Sequence, residues 1–273
     1  MTGLVAIGSF AAGMLGALTG LGGGMIIVPM LTLAFGVDIR YAIGASLISV
    51  IATSSGAAAA YVREGYTNIR IGMFLEVATT VGALGGAFIA GLISTSAIAV
   101  IFSLVLAYSA FRSLRPREEH STDGPPDKWA TRLRMDGTYP TPQGMQPYTV
   151  HNVPTGFSLM FAAGILSGLL GIGSGAVKVL AMDQAMRLPF KVSTTTSNFM
   201  IGVTAAASAG VYLHRGYIDP IIAFPVMLGV LAGALTGARV LAGAKVPALR
   251  AVFTVVIVFL AIEMAYKGLR GGI

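Results

Sequence analysis

The residues with the clearest chemical potential are two glycine clusters, Gly22-Gly23-Gly24 and Gly173-Ser174-Gly175. Each lies between two apolar segments rather than inside one. Closely spaced glycines at such a place break a helix and free backbone N–H groups. The helix that restarts presents the positive end of its dipole, which suits an anion. Lys178 follows Gly175 by about one turn, inside an apolar segment. A cation at that depth costs from about 2.5 to more than 10 kcal/mol unless it meets a partner or a cavity. Lys178 is therefore expected to face an anion in a central cavity, with snorkelling or an acid partner as the alternative. Asp183 is a poor helical partner for it, being better spaced to pair with Arg187 four residues on.

Hydroxyls and an amide add to this set. Ser46, Ser49, Thr53 and Ser54 lie in one apolar segment, and Ser193–Ser197 with Asn198 in another. Most such hydroxyls bond their own helix backbone, so only Ser46, Ser197 and Asn198 are taken as side-chain ligands. Glu76 also lies in an apolar segment. It is a candidate carrier of a coupling proton, although a paired carboxylate is the plainer expectation. Glu263 and Lys267 are spaced for an interfacial ion pair.

Backbone donors, hydroxyls, an amide and one lysine fit an oxyanion. A metal cation would call for clustered carboxylates, histidines or sulfur ligands. Here cysteine is absent, and His120 and His151 stand alone. The glycine runs are not phosphate loops, because no Gly-Lys-Ser/Thr follows. An enzyme would need a nucleophile, paired acids or metal ligands, and the sequence offers none together. No cofactor is expected.

These groups must be positioned by a membrane protein. The chain has 273 residues, 55% apolar and 11% charged, where a soluble domain carries about 25% charged residues. Helices apolar on all sides belong in lipid or deep core, and so many in so short a chain leave nothing to bury them. The net charge of +7 sits in loops and points to membrane topology rather than nucleic acid. Apolar segments are expected at about 3–20, 24–36, 42–61, 71–92 and 96–112. A second set is expected at about 155–171, 175–188, 193–213, 219–242 and 247–267. Methionines are scattered among them as packing filler.

The two sets are copies. A shift of 151 residues aligns Gly13 with Gly164, Gly20 with Gly171, Gly24 with Gly175 and Ser46 with Ser197, and 16 of the 56 pairs from Ala11 to Tyr66 are identical. The expected fold is an all-α polytopic membrane protein of two inverted repeats. Each repeat has a glycine-broken short helix pair, spanning or re-entrant, followed by three spanning helices. Residues 1–112 form repeat 1, 113–154 a cytoplasmic linker, and 155–273 repeat 2. With the N-terminus outside, the inner loops hold 13 Lys and Arg against 4 outside, so both termini are expected to be external. Within the linker, Arg132–Tyr139 and Pro147–Val153 offer an alternative to a solvated loop, a small β-ribbon around Pro140–Gly144. Glycines 82, 85, 86, 91, 229, 233 and 237 are expected to serve close helix packing.

The motif G-x-L-T-G-L-G-G-G-x-x-x-x-P-x-L from Gly16 to Leu31, its weaker second copy, and the endings Glu64-Gly65-Tyr66 and Arg215-Gly216-Tyr217 resemble the TauE/SafE sulfite exporter (TSUP) family. The resemblance implies a bacterial inner-membrane transporter of small sulfur-containing anions such as sulfite, sulfoacetate or related organosulfonates. It also implies glycine segments that meet near the membrane centre and line the substrate path. Leu180 stands opposite Pro29, and Ser174 opposite Gly23, which shifts the expected binding chemistry to the second copy. A secondary transporter working as an exporter is the leading reading, with protons as the candidate coupling ion. A passive anion channel on the same scaffold is its alternative. No feature distinguishes a monomer from a homodimer.

Overall fold

The computed structural model describes residues 2–19, 23–63, 65–114, 127–141, 144–241 and 246–271. The first half contains α1 (Thr2–Thr19), α2 (Gly24–Phe35), α3 (Ile39–Arg63), α4 (Ile69–Ala90) and α5 (Thr95–Leu114). The second contains α7 (Val153–Leu170), α8 (Gly175–Leu180) running into a π-helical turn (Ala181–Ala185), α9 (Phe190–His214), α10 (Pro220–Leu241) and α11 (Val246–Leu269). Between them lie α6 (Lys128–Arg132) and strands β1 (Gly137–Thr141) and β2 (Gly144–Tyr148). Each expected apolar segment coincides with a helix to within a few residues. Among the described residues α4, α7 and Pro220–Gly237 of α10 are long and apolar enough to cross a membrane. α2, with 12 residues, reaches only about 18 Å, short of a bilayer core of about 30 Å.

The halves interlock by exchange. α1 packs chiefly on α10, and its counterpart α7 packs on α4; α3 lies against α9, and α5 against α11. Glycines set the closest approaches. A Cβ on Gly13 would lie 2.3 Å from the Val230 carbonyl oxygen, and one on Gly164 would lie 2.2 Å from that of Thr79. Both residues of the second contact are related to the first by the same 151-residue shift. Gly82 against Phe161 and Gly233 against Phe10 repeat the pattern. Small residues here let backbones touch, as expected for helices packing in lipid. Two glycines depart from that expectation. Gly85 has open space around it, and Gly91 faces the Arg215 guanidinium rather than a helix.

Large apolar side chains point outward on the perimeter. Met73, Val77, Val81, Leu84 and Phe88 form an exposed stripe along α4, and Ile221, Phe224, Leu228 and Leu235 one along α10. The spacing of three or four residues is that of a helix face. The cations expected outside gather at one end of the bundle. Arg40 donates to the carbonyls of Ala90 and Ile93, and Arg215 to those of Ala87 and Phe88. Together the two guanidiniums bond carbonyls of the last turn of α4 and that of Ile93 just beyond it. Arg70, expected inside, lies at the opposite end of α4.

The segment between the halves carries a short helix and a hairpin among its described residues. β1 and β2 pair antiparallel, with Gly137 opposite Tyr148 and Thr141 opposite Gly144. Of the two expectations for this segment, the ribbon is the one formed, nearer its tip than the sequence suggested. Arg132 ends α6, Pro140 lies within β1, and Val153 begins α7. The hairpin is joined to the bundle by a shared core. Met135 and Tyr148 pack in one cluster with Ile71, Leu75, Met160, Met182, Met186 and Met200. Methionine is thus concentrated there, where its flexible side chain fills an irregular junction.

Candidate functional site

The second glycine segment is a tight left-handed turn. Gly171 (φ 66°), Gly173 (φ 69°) and Ser174 (φ 48°) reverse the chain between α7 and α8. Glycine takes this conformation freely, whereas a residue with a Cβ does so at about 1–2 kcal/mol. Ser174 is fully buried, and its hydroxyl has no hydrogen-bond partner among the described residues. Gly173 is wedged between Val50 and Ile201, equivalent residues of α3 and α9.

The two glycine segments meet. A Cβ on Gly24 would lie 3.0 Å from the Ser46 hydroxyl and 3.2 Å from the Ile172 backbone. Ser46 Oγ donates to the Gly171 carbonyl at 2.8 Å, tying α3 of the first half to the broken segment of the second. Ser197 Oγ donates to the Gly175 carbonyl at 3.4 Å. Of the residues singled out in sequence, Gly24, Ser46, Gly173, Ser174, Gly175 and Ser197 lie at this junction, whereas Gly23 packs against Val230 and Gly13. Gly22 lies outside the described residues. Asn198 is half-buried one position beyond Ser197.

Lys178 lies one turn into α8 and is fully buried. Its partner acid is Glu76, from α4 of the other half, with Nζ 4.0 Å from Oε2. Thr204 of α9 stands between them. Lys178 Nζ donates to Thr204 Oγ1 at 2.5 Å, and that hydroxyl donates to Glu76 Oε1 at 2.6 Å. Thr80 also donates to Oε1, at 3.0 Å. Among the described residues Oε2 accepts no hydrogen bond. The directions suit an ammonium and a carboxylate, since an ionised carboxylate only accepts. Among the described residues the ammonium makes one hydrogen bond, so two of its three hydrogens are uncommitted.

Sequence reasoning considered Lys178 and Glu76 separately and missed both their pairing and Thr204. Two signals pointed to Thr204. It is identical to Thr53 at the same shift, and it lies seven residues after Ser197, on the same face of α9. The remaining hydroxyls behave as expected: Ser49, Thr53, Thr194 and Thr195 bond carbonyls of the preceding turn. Lys267 departs from expectation. It donates to the Leu33 carbonyl at 3.3 Å, in the last turn of α2, where carbonyls without a partner in the helix accept from a cation.

At the hairpin end, Asn68 joins α4, β2, α9 and the turn before β1. Its Oδ1 caps α4 at Ile71, and its Nδ2 donates to the Met135 carbonyl and to the Tyr148 hydroxyl, at 2.9 and 2.7 Å. Its backbone N–H donates to Thr196 of α9. A cleft opens beside it, lined by Tyr66, Arg70, Arg134, Asp136 and Tyr148.

Comparison with known proteins places this arrangement among transporters. The sequence profile of the family described as "Sulfite exporter TauE/SafE" matches residues 5–264. A Bacillus subtilis protein named "Probable membrane transporter protein YunE" is 26% identical, covering 97% of each chain. A second B. subtilis protein, "Probable membrane transporter protein YdhB", is 26% identical over 86% of this chain and 89% of its own. "Probable membrane transporter protein MJ0441" of Methanocaldococcus jannaschii is 25% identical over 82% and 79%. No solved structure matches the chain.

Proposed function

Because the chain belongs to the TauE/SafE sulfite exporter family and is a membrane transporter, we propose that it carries small sulfur-containing oxyanions, such as sulfite, sulfoacetate or related organosulfonates, across the bacterial inner membrane. It works as an exporter, by alternating access between two inverted repeats, residues 1–112 and 155–273. The exchanged packing of α1 on α10 and α7 on α4 supports the repeat relationship, because each contact recurs at the 151-residue shift. Both termini are external and the 113–154 segment is cytoplasmic, in keeping with the distribution of Lys and Arg.

The observation that carries the reading is the buried ammonium of Lys178 with two uncommitted hydrogens, one turn beyond the break at Gly173-Ser174-Gly175. The anion binds there, helped by Ser197 and Asn198, with Ser46, Gly23, Gly24 and Gly22 completing the path from the first repeat. A charge kept so deep has a functional use by default.

The test is transport of labelled sulfite and sulfoacetate in proteoliposomes, with and without an imposed pH gradient, for wild type and Lys178→Ala. Accumulation against a gradient that is lost in the variant is the expected result. Flux that only equilibrates makes the protein a channel. Undiminished transport in Lys178→Ala removes the site from Lys178.

A further inference from the structure

We infer that Glu76 is an internal competitor of the substrate anion, so that each anion bound at Lys178 enters with one proton bound at Glu76 Oε2. The inference rests on the reading of Lys178 as the anion site. Without substrate, ammonium and carboxylate neutralise each other at 4.0 Å, with Thr204 bridging them. An incoming anion places a second negative group beside one ammonium, in surroundings where like charges repel strongly. Protonating the carboxylate removes that repulsion.

The geometry marks where the proton goes. Oε1 is occupied by the hydroxyls of Thr204 and Thr80, whereas Oε2 has no hydrogen-bond partner among the described residues and faces the ammonium. A proton on Oε2 turns an acceptor-only carboxylate into a neutral acid with an O–H to donate. The ammonium is then free for the anion. When the anion leaves, the proton leaves too, and the ion pair reforms.

Few other ionisable groups share these surroundings. α7, packed along α4, has no titratable side chain, and α8 contributes Lys178 alone. On α9, Lys191, Tyr212 and His214 lie more than two turns from Thr204. Asp183 lies on the π-helical turn beyond α8, and Arg70 at the start of α4. Among the described residues, Glu76 is the carboxylate in direct contact with the lysine.

The charge balance defines the transport mode. The empty site holds one positive and one negative charge. The loaded site holds the ammonium, a monovalent anion and a neutral acid. Both sum to zero, so a monovalent anion moves electroneutrally with a proton in the same direction. Net flux then follows the combined gradients. Export requires the internal anion to exceed the external by about tenfold for each pH unit by which the inside is more alkaline.

The test uses the full chain in proteoliposomes containing a pH-sensitive dye. Sulfoacetate is the probe, because its two negative charges are fixed between about pH 6 and pH 8 and any proton moving with it is carried by the protein. Its second charge makes the flux electrogenic, so potassium and valinomycin hold the membrane potential at zero. Wild type is expected to move one proton per anion, and the flux left in Glu76→Gln to carry none. Sulfoacetate flux in wild type without proton movement overturns the inference, whatever the variant does. So does proton movement that persists at one per anion in Glu76→Gln. Wild type that moves neither sulfoacetate nor sulfite overturns the anion-transport reading itself, and this inference with it.

Discussion

Lys178 and Glu76 come from different halves of the chain and meet 4.0 Å apart in the interior. Each is tolerable there only because the other is present. Truncating one leaves an uncompensated buried charge, which costs about 3–5 kcal/mol, whereas replacing both by apolar or neutral groups of similar size is often close to neutral. Lys178→Met and Glu76→Gln are therefore expected to lower thermal stability in detergent individually. The double variant should recover most of the loss. Additive losses would mean that the two charges do not stabilise each other.

The closest helix contacts make a second, independent expectation. A Cβ at Gly13 or Gly164 would lie within 2.3 Å of a carbonyl oxygen on the facing helix, closer than any packed pair of atoms. Gly13→Ala and Gly164→Ala should each push helices apart at a cost of about 1–3 kcal/mol. Gly85→Ala, on the same kind of helix but with open space around it, should be neutral or slightly stabilising. Melting temperatures of the three variants measure the contrast. Equal effects at Gly85 and Gly164 would remove the distinction between packing and exposed glycines.

The pattern of apolar runs, which depends only on composition and spacing, made the helices legible in the sequence. The duplication was legible too, and with it the correspondence of Ser46 to Ser197. The partner of Lys178 was not. Helical periodicity reports neighbours three or four residues away, and therefore drew attention to Asp183. Glu76 reaches Lys178 only because α4 and α7 pack together across the halves. That exchange follows from tertiary packing and leaves no local signature. The hairpin is a middle case: turn residues near Pro140–Gly144 announced it, but its register depends on Tyr148 finding the core beside Ile71 and Met160.

Asn68 holds that hairpin to the bundle. Its side chain makes three hydrogen bonds, one capping α4 and two reaching Met135 and Tyr148. Loss of a helix cap alone costs about 1 kcal/mol. Asn68→Ala should lose both functions. Asn68→Asp should keep the cap and lose the two bonds that need an N–H donor. Hydrogen exchange separates them: faster exchange in residues 135–148 is expected in both variants, and faster exchange at the start of α4 only in Asn68→Ala.

Tyr148 gives the hairpin a dependence on alkaline pH. Burial pushes its phenol above the ordinary value of 10.0; the hydrogen bond from Asn68 pulls the other way, and nearby Asp136 adds a smaller upward push. The folded state therefore holds this proton more tightly than the unfolded chain does. Below about pH 10 both states keep it and the shift has no effect. Above that, the unfolded chain releases the proton first and binds fewer, so stability falls as pH rises. Tyr148→Phe lacks the titrating group. It should be less stable than wild type at neutral pH by about 1 kcal/mol, for the lost hydrogen bond. The difference should narrow as the pH passes about 10. Thermal unfolding of both proteins from about pH 8 to pH 11 measures it. A constant difference across that range would mean that Tyr148 ionises as readily in the folded hairpin as in the unfolded chain.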